Sequence, residues 1–299
     1  MRNSYRGEAV DKFNRSYLLL IENNVHDFVT VNFKDQPFTL EFDIKQNNFS
    51  NQNEGQLRIF NLSKTTRSSI RKNFYDNQNE IRYVTLNAGY GSNMPLLFTG
   101  QIQMCSSQRE GDTFVTTIEA FDGGSTFING VTGLQFPAGT DRKTMIQALV
   151  KSMGITIGAM GSTITGKIPR GASLDGNPAD LLRHLTGGTY YILNNKLYIL
   201  ADNECIEGAV TTISSDSGLL GTPRREESYL VFDMIFEPRL LVGQQIFLDS
   251  VTQDDQYNGF YKVTSIHHKG TISGGVSGSA ITTIGLVNGS KELVTVPSL

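Results

Sequence analysis

Residues 38–45 alternate strictly, with Phe38, Leu40, Phe42 and Ile44 on one side and Thr39, Glu41, Asp43 and Lys45 on the other. A period of two with one apolar side predicts a strand buried on one face and wet on the other. The same reading gives short β-branched or aromatic runs at 18–22, 28–33, 56–61, 81–90 and 96–105, separated by polar turns. Residues 113–121 alternate likewise, and Glu110-Gly111-Asp112 supplies a tight turn back to the preceding strand. One short helix interrupts this region: Ser63 is its expected cap, and Thr66, Ile70 and Phe74 are spaced by four.

Between about 131 and 205 the period changes. Thr140 is the expected cap of a helix whose apolar stripe is Met145, Ile146, Leu149, Val150 and Met153, with Gly154 ending it. A second helix is punctuated by Asn177 as cap, Pro178 at its first position and Gly187-Gly188 after it. Residues 190–193 and 196–200 then form a hairpin around Asn194-Asn195. From about 206 onward strands return, at 229–236, 245–249, 259–268 and 280–287, and the glycine-rich link 269–279 reads as a mobile hairpin tip. The order is strands, a small α+β unit, then strands again.

Composition narrows the function. The 299 residues carry 26 Lys+Arg against 29 Asp+Glu, a net charge of −3, which excludes an ordinary basic nucleic-acid-binding domain. No apolar run approaches the roughly 20 residues that span a bilayer, so no membrane insertion is expected. The N-terminus lacks a signal-peptide core, so the expectation is a protein that is not secreted. Ser, Thr and Asn make up about a quarter of the chain and glycine another 30 residues, a surplus suited to strand corners and polar surfaces.

Candidate chemistry is thin. Cys105 and Cys205 lie far apart without a CxxC pattern and read as buried thiols. His267 and His268 are adjacent on an expected strand, so they point to opposite faces and cannot hold one ion together. No nucleophile signature, phosphate loop or dinucleotide fingerprint is present. Asp254-Asp255-Gln256-Tyr257-Asn258-Gly259 lacks EF-hand spacing and reads as a polar hairpin turn. No enzymatic activity, cofactor or metal is therefore expected.

A succession of phrases carries more information than any one of them. Gly55-Gln56-Leu57-Arg58-Ile59-Phe60-Asn61-Leu62-Ser63 precedes the short helix; then come Leu86-Asn87-Ala88-Gly89-Tyr90, Phe98-Thr99-Gly100-Gln101-Ile102 and Phe121-Asp122-Gly123. Later follow Gly221-Thr222-Pro223, Phe236-Glu237-Pro238 with Gly243, and Asn258-Gly259-Phe260-Tyr261-Lys262-Val263. In this order, over roughly residues 38–287, the chain resembles the baseplate hub proteins of contractile-tailed phages of the Mu-like and T-even-like kind. Glycines at Gly89 and Gly100 are expected where strands leave a barrel or bulge.

The resemblance implies a mainly β fold with two tail-tube-like β-barrel domains and a small α+β unit between them. The expected domains are residues 1–130, 131–205 and 206–299. It implies a structural virion protein of the tail baseplate, assembled in the host cytoplasm. The implied assembly is a homotrimer that adapts a six-fold tail tube ring to a three-fold spike or tip and lines the passage for DNA. Two other readings remain. A tail-associated cell-wall hydrolase would need paired acids, and Glu226-Glu227 with Glu237 are the nearest approach. A carbohydrate-binding attachment module would lean on exposed aromatics such as Tyr190, Tyr191 and Tyr198, whereas a hairpin packed on the second helix is the simpler account. Contact with a neighbouring subunit or tube ring is expected at the polar tip holding Asn47, Asn48, Phe49, Asn51, Asn53 and Glu54. Arg224, Arg225 and Lys269 are the second candidates.

Overall fold

The computed structural model describes residues 12–49, 53–73, 80–123, 130–250, 256–275, 278–288 and 292–294. The first part supplies β1 (Arg15–Glu22), β2 (Phe28–Asn32), β3 (Leu40–Asn47), β4 (Glu54–Phe60), helix α1 (Lys64–Ile70), β5 (Tyr83–Tyr90), β6 (Leu96–Glu110) and β7 (Thr113–Phe121). The middle holds β8 (Thr132–Phe136), α2 (Arg142–Ser152), β9 (Thr156–Met160), β10 (Ala172–Gly176), α3 (Pro178–Thr186), β11 (Tyr191–Leu193) and β12 (Lys196–Ile199). The last part runs through β13 (Glu204–Ile213), β14 (Leu219–Glu226), β15 (Tyr229–Ile235), β16 (Gln244–Leu248), β17 (Gly259–Ile272), β18 (Ala280–Asn288) and β19 (Glu292–Val294).

Fourteen of the described strands form one sheet, in the order β14-β15-β18-β17-β3-β4-β7-β6-β5-β1-β2, with β16, β13 and β19 branching from β17. The fold is mainly β, and the ladder is open: β14 and β2 are its ends, so hydrogen bonding closes no barrel among the described residues. The sheet nevertheless curls, and β1 returns beside the β17–β18 hairpin. Side chains hold that seam. Arg15 Nη2 donates to the Gly278 carbonyl, Tyr17 Oη to Phe38 O at 2.8 Å, and Tyr90 Oη to Phe236 O at 2.8 Å.

β17 is the joint between the two strand-rich parts. Its first residues pair with β16, and its last eight pair with β3 in the antiparallel register Ser265↔Asn47 to Ile272↔Leu40. One fourteen-residue strand therefore belongs to both parts, and the link expected at 269–279 is shorter than its glycines imply. Lys269 to Ile272 continue the ladder to β3. The chain turns only after Ser273.

Three apolar clusters fill the molecule. The first gathers alternate residues of β1 and β3–β7, among them Leu40, Phe42, Ile44, Leu57, Ile59 and Phe98, and also takes Phe236 and Ile272 from the last part. The second is built on Phe232, Met234, Ile246, Val263, Ile266 and Ile284. The third packs α2 and α3 through Ile146, Leu149, Val150 and Leu182. The β11–β12 hairpin separates the last two clusters. Tyr191, Leu193, Tyr198 and Leu200 enter one cluster, while Tyr190, Ile192, Leu197 and Ile199 enter the other. Both faces are apolar, which is why this hairpin reads as an unbroken hydrophobic run.

Local chemistry explains the element ends. Ser63 Oγ accepts from Thr66 N, and Asn61 sits in the left-handed region (φ 60°) while its side chain accepts from Phe114 N, so Asn-Leu-Ser ends β4 and starts α1. Helix α1 ends at Ile70, and Phe74, the last member of its expected stripe, lies outside the described residues. Asn177 caps α3 through Ala179 N and Asp180 N, and Gly187 ends it at φ 70°. The N-cap position of α2 falls on Asp141 rather than Thr140, though the Asp141 side chain makes no cap hydrogen bond; the Thr140 hydroxyl donates to Pro137 O. Asn194 and Asn195 take φ 52° and 58°, the two left-handed positions that a two-residue hairpin turn demands.

Gly100 has a different reason from the one expected. It lies inside β6, and a Cβ there would stand 2.7 Å from the Phe98 ring; a Cβ at Gly55 would meet the same ring at 2.7 Å. Both glycines make room for one fully buried aromatic, not for a strand corner.

Candidate functional site

In an antiparallel sheet, directly paired residues share a face. The registers therefore trace rows across the side of the sheet away from the cores. One row runs Asp233, Thr283, His267, Lys45, Glu54 and Phe121. The next runs Ile235, Ile281, Lys269, Asp43, Gln56, Glu119 and Met104, and a third runs Thr271, Glu41, Arg58, Thr117 and Ser106. This polar surface spans both strand-rich parts without interruption at the β3–β17 joint.

Its cations are all matched. Lys45 Nζ lies 2.8 Å from Glu54, and Arg58 bridges Glu41 at 2.6 Å and Glu110 at 2.8 Å. Arg224, on the edge strand beside it, meets Glu226 at 2.8 Å and Asp233 at 3.3 Å. Asp43 receives His267 Nε2 at 2.7 Å and Lys269 Nζ at 3.2 Å. Burial works against the Asp43 carboxylate, but those two donors prevail and hold it below the usual carboxylate range. Glu119 has only Gln56, at 3.5 Å, and no cation among the described residues. Among the described residues, the surface therefore offers paired charge and spare carboxylate, with no unpaired cation to retain a phosphate.

The expected contact residues separate into two groups. Asn47, Asn48 and Phe49 sit where β3 ends, and the Phe49 ring meets Tyr229 edge-on at 6.1 Å, next to the turn that follows Arg224 and Arg225. Phe49, Arg224 and Arg225 are solvent-exposed, and Asn48 N donates to Thr264 O. Lys269 belongs instead to the middle of the polar surface. Asn51 lies outside the described residues. Asn53 turns inward: it is 1% exposed, its amide donates to Ile192 O at 2.6 Å, and its oxygen accepts from Asn47 N at 2.8 Å.

Asn53 thereby exposes a docking joint that pattern reasoning did not find. Asp122 lies beside it, fully buried, and its carboxylate accepts from Asn194 N and from Asn195 N at 2.8 Å. Thr99 N donates to Asn194 Oδ1 at 3.0 Å. Burial pushes the Asp122 carboxyl up to about 6, against the pull of its amide donors. The signal in the sequence was the Asp122-Gly123 pair following an alternating strand; nothing local said that its partner would lie seventy residues on.

The features held open for other chemistry have structural employment. Glu237 is 4% exposed and is gripped by Arg239 at 2.7 Å and Lys12 at 3.4 Å. Glu226 pairs with Arg224, and Glu227 occupies the β14–β15 turn at φ 53° rather than a strand. Tyr191 and Tyr198 stack on each other, 5.2 Å between centroids, inside the second cluster, and Tyr190 is buried near α3. None of the three rings is open to a sugar. Cys105 and Cys205 are buried and in no disulfide, and burial raises the Cys105 thiol to about 12. His267 faces the polar surface while His268, fully buried, bonds Thr282 Oγ1 at 2.9 Å. The Asp254-Asp255 turn lies outside the described residues. No helix among the described residues is long and apolar enough to cross a membrane.

An open, curled sheet carrying a small α+β unit is shared with solved phage tail proteins. The 43 kDa tail protein of prophage MuSo2 from Shewanella oneidensis superposes with a TM-score of 0.60 at 10% identity, over 91% of this chain and 97% of that one. A tail protein from Neisseria meningitidis MC58 gives 0.57 at 9% identity, covering 92% and 96%. An E. coli component of the type VI secretion system, described as structurally similar to T4 bacteriophage tail proteins gp27 and gp5, gives 0.53 at 9%, covering 88% and 77%. No curated protein matches the sequence. The fold class is thus that of phage tail proteins.

The baseplate hub gp41 family matches residues 23–271, and the chain belongs to that family. It is a structural component of a phage tail baseplate, as the succession of strand and turn motifs implied.

Proposed function

We propose that this hub protein assembles as a homotrimer around a central passage, with the polar sheet surface turned toward it. In this reading residues 1–130 and 206–299 act as two tube-like domains, and 131–205 form the unit between them. Three copies would then present six comparable sheet segments, adapting a six-fold tail tube ring above to a three-fold spike or tip below. Assembly takes place in the host cytoplasm, and phage DNA passes through the finished channel.

The carrying observation is the pairing of Lys45, Arg58, Lys269 and Arg224 with carboxylates across one uninterrupted surface. A wall of free cations would bind successive phosphates and release counterions, slowing transit. A wall of paired charge stays wet without holding the strand. The third apolar cluster lies wholly within 131–205 and supports treating that stretch as a unit, while the first two clusters borrow residues across the proposed boundaries. The tip carrying Phe49, with Arg224 and Arg225 beside it, is the proposed contact with a neighbouring subunit or the tube ring.

Cryo-electron microscopy of the tail tip tests this reading. A ring of three copies with Glu41, Asp43 and Glu119 lining the lumen is the expected result. A different copy number, or that surface buried against another protein, overturns it. Cell-wall hydrolysis by the purified chain would instead favour a tail hydrolase.

A further inference from the structure

The seam where the sheet curls back on itself contains a cleft of about 480 Å³ whose chemistry is the opposite of the polar surface. It lies between the start of β1, the β2–β3 connection and the end of β17. Among the described residues none of its lining is acidic, and two of the lining residues are Arg15 and Lys34. Phe33, half-buried against the first core, gives it an apolar side with Ile272 buried behind, and Ser273 and Gly274 line another side.

The rim is built rather than loose. Arg15 is part-buried, and its guanidinium is fixed by donation to the Gly278 carbonyl, which leaves other N–H groups of the fork for a ligand. Lys34 stands at the lip, its backbone N–H held by Asn32 Oδ1 at 3.1 Å. Its side chain is exposed and has no ion pair among the described residues. The nearest acid in sequence, Asp35, accepts from Asn32 Nδ2 at 2.8 Å instead. Gly91 N bonds Asn14 O at 2.9 Å and Thr39 Oγ1 meets Ser273 Oγ at 2.7 Å, so the walls are tied to one another.

We infer that this cleft is a docking site for a carboxylate-bearing peptide segment of a protein partner, with Arg15 and Lys34 receiving the acid and Phe33 receiving an aliphatic stem. Guanidinium and ammonium groups with no ion pair among the described residues, set beside the apolar Phe33 ring, match a Glu side chain next to a Leu or Val better than they match water. Duplex DNA fits less well. Its phosphates lie on a convex cylinder, whereas these cations flank a concavity closed by the β2–β3 connection and the β17–β18 hairpin. The inference is independent of which way the polar surface faces.

The test uses the full chain and a fluorescein-labelled Gly-Glu-Leu-Glu-Gly amide peptide, read by anisotropy at low salt. Its Gln counterpart and a twelve-base-pair duplex are run beside it. Binding of the acidic peptide, at least tenfold weaker for the Gln peptide and for an Arg15→Gln/Lys34→Gln pair, is the expected result. Binding should weaken further as salt rises. Lys34→Gln alone decides the matter if loss of the Arg15–Gly278 bond lowers the melting temperature, because the Lys34 side chain makes no ion pair among the described residues and its backbone bond to Asn32 survives the change; a loss of twofold or more is expected there. Absence of binding, equal binding by the variants, or tighter binding of the duplex overturns the inference.

Discussion

Two joints hold this molecule together, and they use opposite physics. The β3–β17 joint is a ladder of eight register pairs whose outward side chains are charged and wet. The joint that docks the β11–β12 hairpin has few backbone pairings to the large sheet. It relies instead on buried polar groups, with Asn53, Asp122 and Thr99 each satisfying a main-chain or turn group of the hairpin. The ladder distributes its stability over many replaceable contacts. The docking joint concentrates it in a few groups that leave a buried donor or acceptor unpaired when lost.

The largest effect that would expose the difference is expected at Gly243. It lies at φ 89°, and a Cβ there would fall 2.2 Å from Tyr191 Oη, which itself donates to Val242 O at 3.0 Å. Gly243→Ala should cost about 3 kcal/mol or more, combining backbone strain with displacement of a packed ring. Urea unfolding measures it, and a loss below about 1 kcal/mol would show that the hairpin is not locked as described.

Asn53→Ala comes next. It strands the Ile192 carbonyl and the Asn47 amide, so about 2 to 3 kcal/mol is expected. Hydrogen exchange should accelerate in the hairpin while the β3–β17 amides keep their protection. Equal acceleration at both joints would mean that they form one cooperative unit.

The joints should also titrate in opposite senses. His268 lies behind the β3–β17 ladder, and burial lowers it to about 3, with His267 acting in the same direction. A histidine whose folded pKa is depressed contributes stability that is present above its unfolded pKa and lost as pH falls toward the folded one. Each pH unit below about 6.5 should therefore weaken this joint by about 1.4 kcal/mol. Asp122, raised to about 6, behaves in reverse. Its contribution is fully present below about 4 and is lost as pH rises through 6, a span of about 3 kcal/mol. Asp122→Asn should flatten that limb in a pH series of unfolding curves, and His268→Asn should flatten the other. A series left unchanged by both substitutions would remove the contrast.

The smallest effect belongs to the exposed charges. Lys269→Ala removes one partner of Asp43 on a side chain that is 69% exposed, and His267 remains. A change under about 1 kcal/mol is expected in thermal unfolding, diminishing with salt. A larger loss would show that ion pairs, not the ladder, carry the suture.

The strands were legible because alternation is local: 38–45, 113–121 and 259–268 each display two faces without help from the rest of the chain. The helices were legible through Ser63, Asn177-Pro178 and Gly187. Gly100 misled because its demand comes from Phe98 two residues away and on the same side, a packing fact that a glycine's own conformational freedom conceals. The tip around Asn53 misled in another way. A run of amides looks solvent-seeking until a backbone carbonyl, here Ile192 O, arrives from 139 positions along the chain.

By itself the sequence determined the β-rich class, the α+β insertion between strand-rich parts, the caps and the hairpin turns. Each follows from side chains acting on their own backbone or on neighbours within one period. Only the tertiary structure decided that β17 belongs to both parts, that the sheet is curled but open, that Asp122 and Asn53 latch the hairpin, and that each described cation on the polar surface has a carboxylate. Those are statements about pairs far apart in the chain. Register and charge matching between such pairs are fixed by which strands become neighbours, which composition and periodicity leave undetermined.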